Sequence, residues 1–208
     1  MELAKKICAV IDMQGFFIEK VFYPRELAIV NDKYKLCFEI DCDIPNDLRI
    51  KNFKHFSFQQ HQIHNIPIEK VIPDKTLRVF KNSQLKHILF DIYCRIRSED
   101  KYLFAIKNQQ LAKLLDVYEI PYINLEKVTI GNEICPTLLN FDKYSKHKKG
   151  FCLLHFMLNN SAHGINIRCS LRKSEKIWEW LINKIISDQL VSDIFNNLTS
   201  IESASNII

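Results

Sequence analysis

An aspartate closing an apolar run, with an amide two residues further on, is the first place where side-chain types in this chain could do chemistry. Ile7-Cys8-Ala9-Val10-Ile11-Asp12-Met13-Gln14 reads as a buried strand that delivers Asp12. Two carboxylates at that spacing could clamp hard divalent cations, which take oxygen ligands. Gln14 at the second place removes charge where such ions need it most. Farther on, Cys152, His155, His163 and Cys169 supply two thiols and two imidazoles within eighteen residues, the soft ligand set of a structural zinc. The competing reading is a buried helix in which Cys152 packs and His155 finds a carbonyl. A third group is the segment Lys143-Tyr144-Ser145-Lys146-His147-Lys148-Lys149-Gly150. Lys146, Lys148 and Lys149, with Arg168 and Arg172 beyond them, would contact phosphates, and Tyr144 would stack on a base. A solvated lysine loop is the plain alternative. His55, His61 and His64 lie in a polar stretch where histidines ordinarily cap or face water.

These groups need elements to hold them. At 208 residues, 47% hydrophobic and 25% charged with four glycines, the chain can bury a substantial core as one domain. A net charge of +5 and a pI near 8.7 permit nucleic-acid contact without the dense basic composition of histone-like binders. No apolar stretch reaches the length of a membrane span, so no membrane association is expected. Seven cysteines, an odd count with several inside apolar runs, suit reduced thiols in an intracellular, cytoplasmic or nuclear, setting.

Runs rich in Val, Ile, Phe and Tyr predict strands over residues 6 to 13, 16 to 30 and 33 to 42, with Gly15 and Asn31-Asp32 as turns. A polar, His- and Pro-punctuated crossover is expected from 45 to 76. A short strand near 77 to 80 follows, then a helix over 83 to 97 capped by Ser83. A strand at 102 to 106, a helix at 108 to 117 and a strand at 122 to 125 predict a parallel βαβ unit. The clearest helix spans 170 to 186, its stripe formed by Ile177, Trp178, Leu181, Ile182 and Ile185, with Lys173, Glu175, Lys176 and Glu179 opposite. The domain is placed at 1 to 186, followed by a weakly helical to disordered tail at 187 to 208.

In this order the chain resembles a degenerate member of the DEDDh branch of 3′-to-5′ exonucleases, over about residues 6 to 186. That family opens with Asp-x-Glu on its first strand, and here Asp12-Met13-Gln14 keeps one of the two carboxylates. His64-Asn65-Ile66-Pro67 falls where the crossover element would lie. Lys107-Asn108-Gln109-Gln110-Leu111-Ala112 retains the family's asparagine as Asn108 and has Ala112 in place of the third carboxylate. His163 precedes the last helix, with Cys169 instead of an aspartate. The resemblance implies an α/β, RNase H-like mixed sheet: a three-strand antiparallel meander followed by βαβ units, with C-terminal helices. It implies that Asp12 is a vestigial metal-side carboxylate, with Gln14, Asn108 and His163 as remnants of the catalytic site. Glu26, Asp91 or Asp116 would restore metal binding only if the fold brought them beside Asp12. The expected function is a catalytically inactive module whose partner is a single-stranded nucleic acid or a protein. Mg²⁺ or Mn²⁺ belongs only to the alternative, an active nuclease with a rearranged carboxylate site.

Overall fold

The computed structural model describes residues 2–64, 66, 68, 79–130, 133–136 and 169–205. Its centre is a mixed six-stranded sheet. Three strands form an antiparallel meander: β1 (Ile7–Ile18), β2 (Val21–Val30) and β3 (Lys35–Asp41). β4 (Val79–Lys81) adds in parallel to β3, while β5 (Leu103–Ile106) and β6 (Tyr122–Asn124) add in parallel on the far side of β1. The resulting order is β4-β3-β2-β1-β5-β6.

The central strands read as almost unbroken apolar runs because both faces of the sheet are covered. On one face, Ile11, Met13, Leu27, Ile29 and Phe104 pack under α4 (Leu85–Ile96) and α5 (Gln109–Tyr118). On the other, Val10, Ala28, Val30 and Ala105 pack under α6 (Ser170–Ser205), which contributes Ile177, Trp178 and Leu181. Each of these large α6 side chains stabilises the fold by about 1.5–3 kcal/mol through burial. The indole of Trp178 also donates to Asp32 Oδ1 at 3.0 Å, tying α6 to the β2–β3 turn. In that turn Asn31 Oδ1 accepts from the backbone of Lys33 and Tyr34, so the Asn-Asp signal in the sequence acts as expected. α1 (Glu2–Lys5) precedes β1, and a small hairpin, β7 (Thr129–Ile130) and β8 (Glu133–Ile134), follows β6.

Three local expectations are corrected. Gly15 is not a turn. β1 runs through it to Ile18, and the reversal is made by Glu19 and Lys20, both at positive φ as a two-residue type I′ hairpin demands. The β1–β2 register shifts at Gly15, which pairs with Pro24 while Gln14 pairs with Glu26, so Arg25 is the extra residue of a β-bulge. A Cβ on Gly15 would lie 2.0 Å from the carbonyl oxygen of Tyr23. Gly15→Ala is therefore expected to cost about 1–3 kcal/mol of stability through this overlap. A urea melt would show it as a lower midpoint, and an unchanged midpoint would mean that the bulge can open without cost.

The second correction concerns the polar crossover. Residues 46 to 64 are helical: α2 (Asn46–Lys51), α3 (Phe53–Phe58) and a π-helical turn over Gln59–His64. Phe56 points inward onto Phe16, with ring centroids 5.1 Å apart, while Ile50, Phe53 and Phe58 point outward and are exposed. Apolar residues on both faces erase the 3.6-residue period, which is why a helix was not legible there. Third, Ser83 does not cap α4. It lies in a 3₁₀ turn over Asn82–Gln84, and the Gln84 side chain accepts from the backbone N–H of Lys81 at 3.0 Å.

Candidate functional site

The alternation of β1 turns Asp12 away from Ile11 and Met13 and toward the start of α6. The carboxylate is buried, and its Oδ1 accepts from Lys173 Nζ at 2.7 Å. Burial pushes its pKa up, against the opposing pull of the Lys173 ammonium, the Ser170 side chain and the backbone at Met13. Ser170 thus lies close enough to favour the charged form, yet neither its hydroxyl nor Asp12 Oδ2 reaches hydrogen-bonding geometry.

Two pairs further along the ladder, half-buried Gln14 sits opposite Glu26, and Glu26 in turn sits opposite Glu39. Two carboxylates directly across a ladder repel unless something compensates them. Glu26 is fully buried at the N-terminus of α6. Its Oε2 accepts from the Ser170 backbone N–H at 3.1 Å, where the helix dipole favours an anion. Its Oε1 receives the thiols of Cys37 at 3.3 Å and Cys169 at 3.7 Å. Glu39 is held by Arg25, whose Nη2 lies 2.8 Å from Oε1 with both side chains fully buried, while Nη1 donates to the Ile40 carbonyl. The bulge brings Arg25 to this pair. The outcome is three buried carboxylates on neighbouring strands, each met by the protein's own donors: an ammonium, a helix amide with two thiols, and a guanidinium.

Of the three carboxylates that could have joined Asp12, the fold brings only Glu26 to its side of the sheet. Asp91 pairs with Arg95 on the solvent face of α4, and Asp116 is exposed on the solvent face of α5. Asn108 is the N-cap of α5. Its Oδ1 accepts from Gln110 and Leu111, and its Nδ2 donates to the Met13 carbonyl at 2.9 Å, so it fixes the helix start against β1. Ala112 is in the core on the α4/α5 side, across the sheet from Asp12. Arg172 is half-buried in the first turn of α6. Tyr144, Lys146, Lys148, Lys149, Cys152, His155, His163 and Arg168 lie outside the described residues.

For zinc, the one described candidate is Cys169, whose thiol faces Glu26. Among the described residues, no group of three or more His, Cys, Asp or Glu side chains is placed to hold a metal ion. Burial raises the thiols of Cys8, Cys42 and Cys135 to about 11, so they are inert packing groups. His55 donates through Nε2 to the Phe17 carbonyl and His61 through Nδ1 to the Ser57 carbonyl, both in structural roles.

The helical pattern puts Lys173 opposite the apolar stripe, and this is a further correction: its side chain is 14% exposed and turns inward. The polar α6 residues beside it, Ser170 and Ser174, are also buried, so the inner face of the helix begins with small polar side chains that let a long ammonium reach Asp12. Arg25 and Glu39 were also missed. Their signal is charge inside largely apolar strands: Arg25 beside Glu26 in β2, and Glu39 between Phe38 and Ile40 in β3. Among the described residues, no helix is long and apolar enough to cross a membrane. No family model, no curated protein and no solved structure matches the chain.

Proposed function

We propose that the chain is a catalytically inactive, exonuclease-like domain of RNase H-like type that binds single-stranded nucleic acid or a protein partner without cleaving. One observation carries this reading: the retained carboxylate of Asp-x-Gln, Asp12, is closed by the Lys173 ammonium at 2.7 Å. A two-metal nuclease spends such a carboxylate on a divalent cation. Here a single positive charge, covalently fixed to the chain, takes that partner role. The strand order supports the same kinship, since an antiparallel meander with parallel βαβ strands beyond β1 is what the resemblance implies. Nucleic acid is favoured by the basic balance and by the lysine segment over 143 to 149, with Arg168 and Arg172. The six described cysteines are all free, which suits the intracellular setting proposed with this function.

The test is a titration of the purified protein with labelled single-stranded DNA and RNA at low salt, with Mg²⁺ or Mn²⁺ present and strand length read on a gel. Retarded, intact strands are expected. Affinity should fall steeply with added salt and on replacing Lys146, Lys148 and Lys149 by glutamine. Progressive shortening abolished by Asp12→Ala would make the protein a nuclease and end this reading. Absence of any retardation would leave the protein-partner half alone.

A further inference from the structure

β6 is an edge strand, and among the described residues no strand pairs with its outer side. The Pro121 carbonyl accepts from Phe104 and the Leu125 N–H donates to Ile106, so residues 121 and 125 face β5. By alternation, the backbone groups of Tyr122 and Asn124 point away from the sheet. Asn124 O is taken by the N–H of Lys127, which leaves the N–H and C=O of Tyr122 and the N–H of Asn124 aimed outward. Among the described residues nothing pairs with them.

An open cleft of about 750 Å³ follows this edge. It is lined from both faces of the sheet: Leu103, Ile123 and Val128 come from the α6 side, Leu115, Ile120 and Tyr122 from the α5 side. A cleft that straddles a strand in this way fits an extended chain, whose side chains leave alternately to the two faces. A second observation points to a ligand. Asn124 is 7% exposed and lines the cleft; its Oδ1 accepts from the backbone of Glu126, but its Nδ2 has no partner. A buried donor without a partner forfeits its hydrogen bond to water, and an incoming acceptor would restore it. The rim is charged unequally, with Asp116 and Glu119 at the start of β6 and Lys127 past its end.

We infer that this edge is a docking site for an extended peptide segment of a partner protein, which joins the sheet as a seventh strand beside β6. Main-chain hydrogen bonds to Tyr122 and Asn124 give the affinity. Apolar side chains seat on the two faces, and the segment carries a basic residue toward Asp116 and Glu119 and an acidic one toward Lys127. This goes beyond nucleic-acid binding and stands whether or not the domain binds it.

The probes are two fluorescein-labelled heptapeptides of alternating valine and threonine, one with lysine first and glutamate last, the other reversed, to cover both strand directions. Each is accompanied by versions N-methylated at alternate residues in either frame. Fluorescence anisotropy should show binding of one direction, abolished by methylation in one frame and retained in the other, as strand addition requires. Tyr122→Pro removes an outward N–H while sparing the β5 ladder, and Asn124→Leu removes the orphan donor. Each should weaken binding roughly fivefold to tenfold, the worth of one hydrogen bond, with thermal melts confirming that both variants fold. Absence of binding by either peptide, or binding indifferent to the methylation frame, overturns the proposal. So does a wild-type dimer in sedimentation that Tyr122→Pro dissolves, since a second copy of the chain would then own the edge.

Discussion

Replacing Arg25 with methionine is expected to remove about 3–5 kcal/mol of stability, the usual cost of breaking a buried ion pair by removing one partner. The guanidinium meets Glu39 at 2.8 Å with both side chains fully buried, and a second arm of the same fork satisfies the Ile40 carbonyl. Without it, Glu39 stands in the core directly across the ladder from Glu26, and two carboxylates face each other with one cation fewer. The core cannot relax this cheaply, because Glu26 is already committed to the α6 N-terminus through Ser170. The double variant Arg25→Met, Glu39→Leu should recover most of the loss, since an apolar pair of similar volume avoids desolvating either charge. Urea melts of the two single variants and the double form a cycle whose coupling energy reads the pair directly. A loss below about 1 kcal/mol for Arg25→Met would mean that water reaches Glu39 and that the pair is not a buried one.

The sequence carried this arrangement unevenly, for physical reasons. The β1–β2–β3 meander and the β5–α5–β6 unit were legible because their signals are local: β-branched and aromatic runs, an Asn-Asp turn, Leu111 and Leu115 at helical spacing. α2 and α3 were not, because Ile50, Phe53 and Phe58 put apolar groups on the outer face as well. Gly15 stands out in the sequence, but a glycine admits both a turn and a bulge. Only the close approach of the Tyr23 carbonyl separates the two. The site fared worse. Asp12 and Lys173 are 161 residues apart in sequence and meet because α6 crosses the sheet above β1. No local pattern encodes such a meeting, and a lysine near the margin of an apolar stripe reads the same whether it faces water or a buried carboxylate.

Lys173→Met tests that meeting and the functional reading built on it. Asp12 has a folded-state pKa raised above its ordinary value of 3.8, because burial outweighs the pull of Lys173. A carboxyl with a raised folded pKa binds its proton more tightly in the native state than in the unfolded one. Its effect on stability therefore turns unfavourable as pH climbs from the unfolded pKa through the folded one, and is absent below both. Removing Lys173 takes away the largest opposing influence and pushes the folded pKa higher still. The variant should lose less relative to wild type at about pH 4.5 than at about pH 7.5, where about 3 kcal/mol is expected because the uncompensated charge or its forced protonation must be borne. Adding Asp12→Asn to Lys173→Met should flatten that pH dependence. A loss equal at the two pH values would mean that Lys173 contributes packing rather than charge. Divalent ions add the functional reading: millimolar Mn²⁺ should leave the wild-type melting temperature where it is, because the carboxylate already has its cation. A wild-type melting temperature that rises with Mn²⁺ would show a metal displacing the ammonium, and the case for a non-cleaving domain would fall with it.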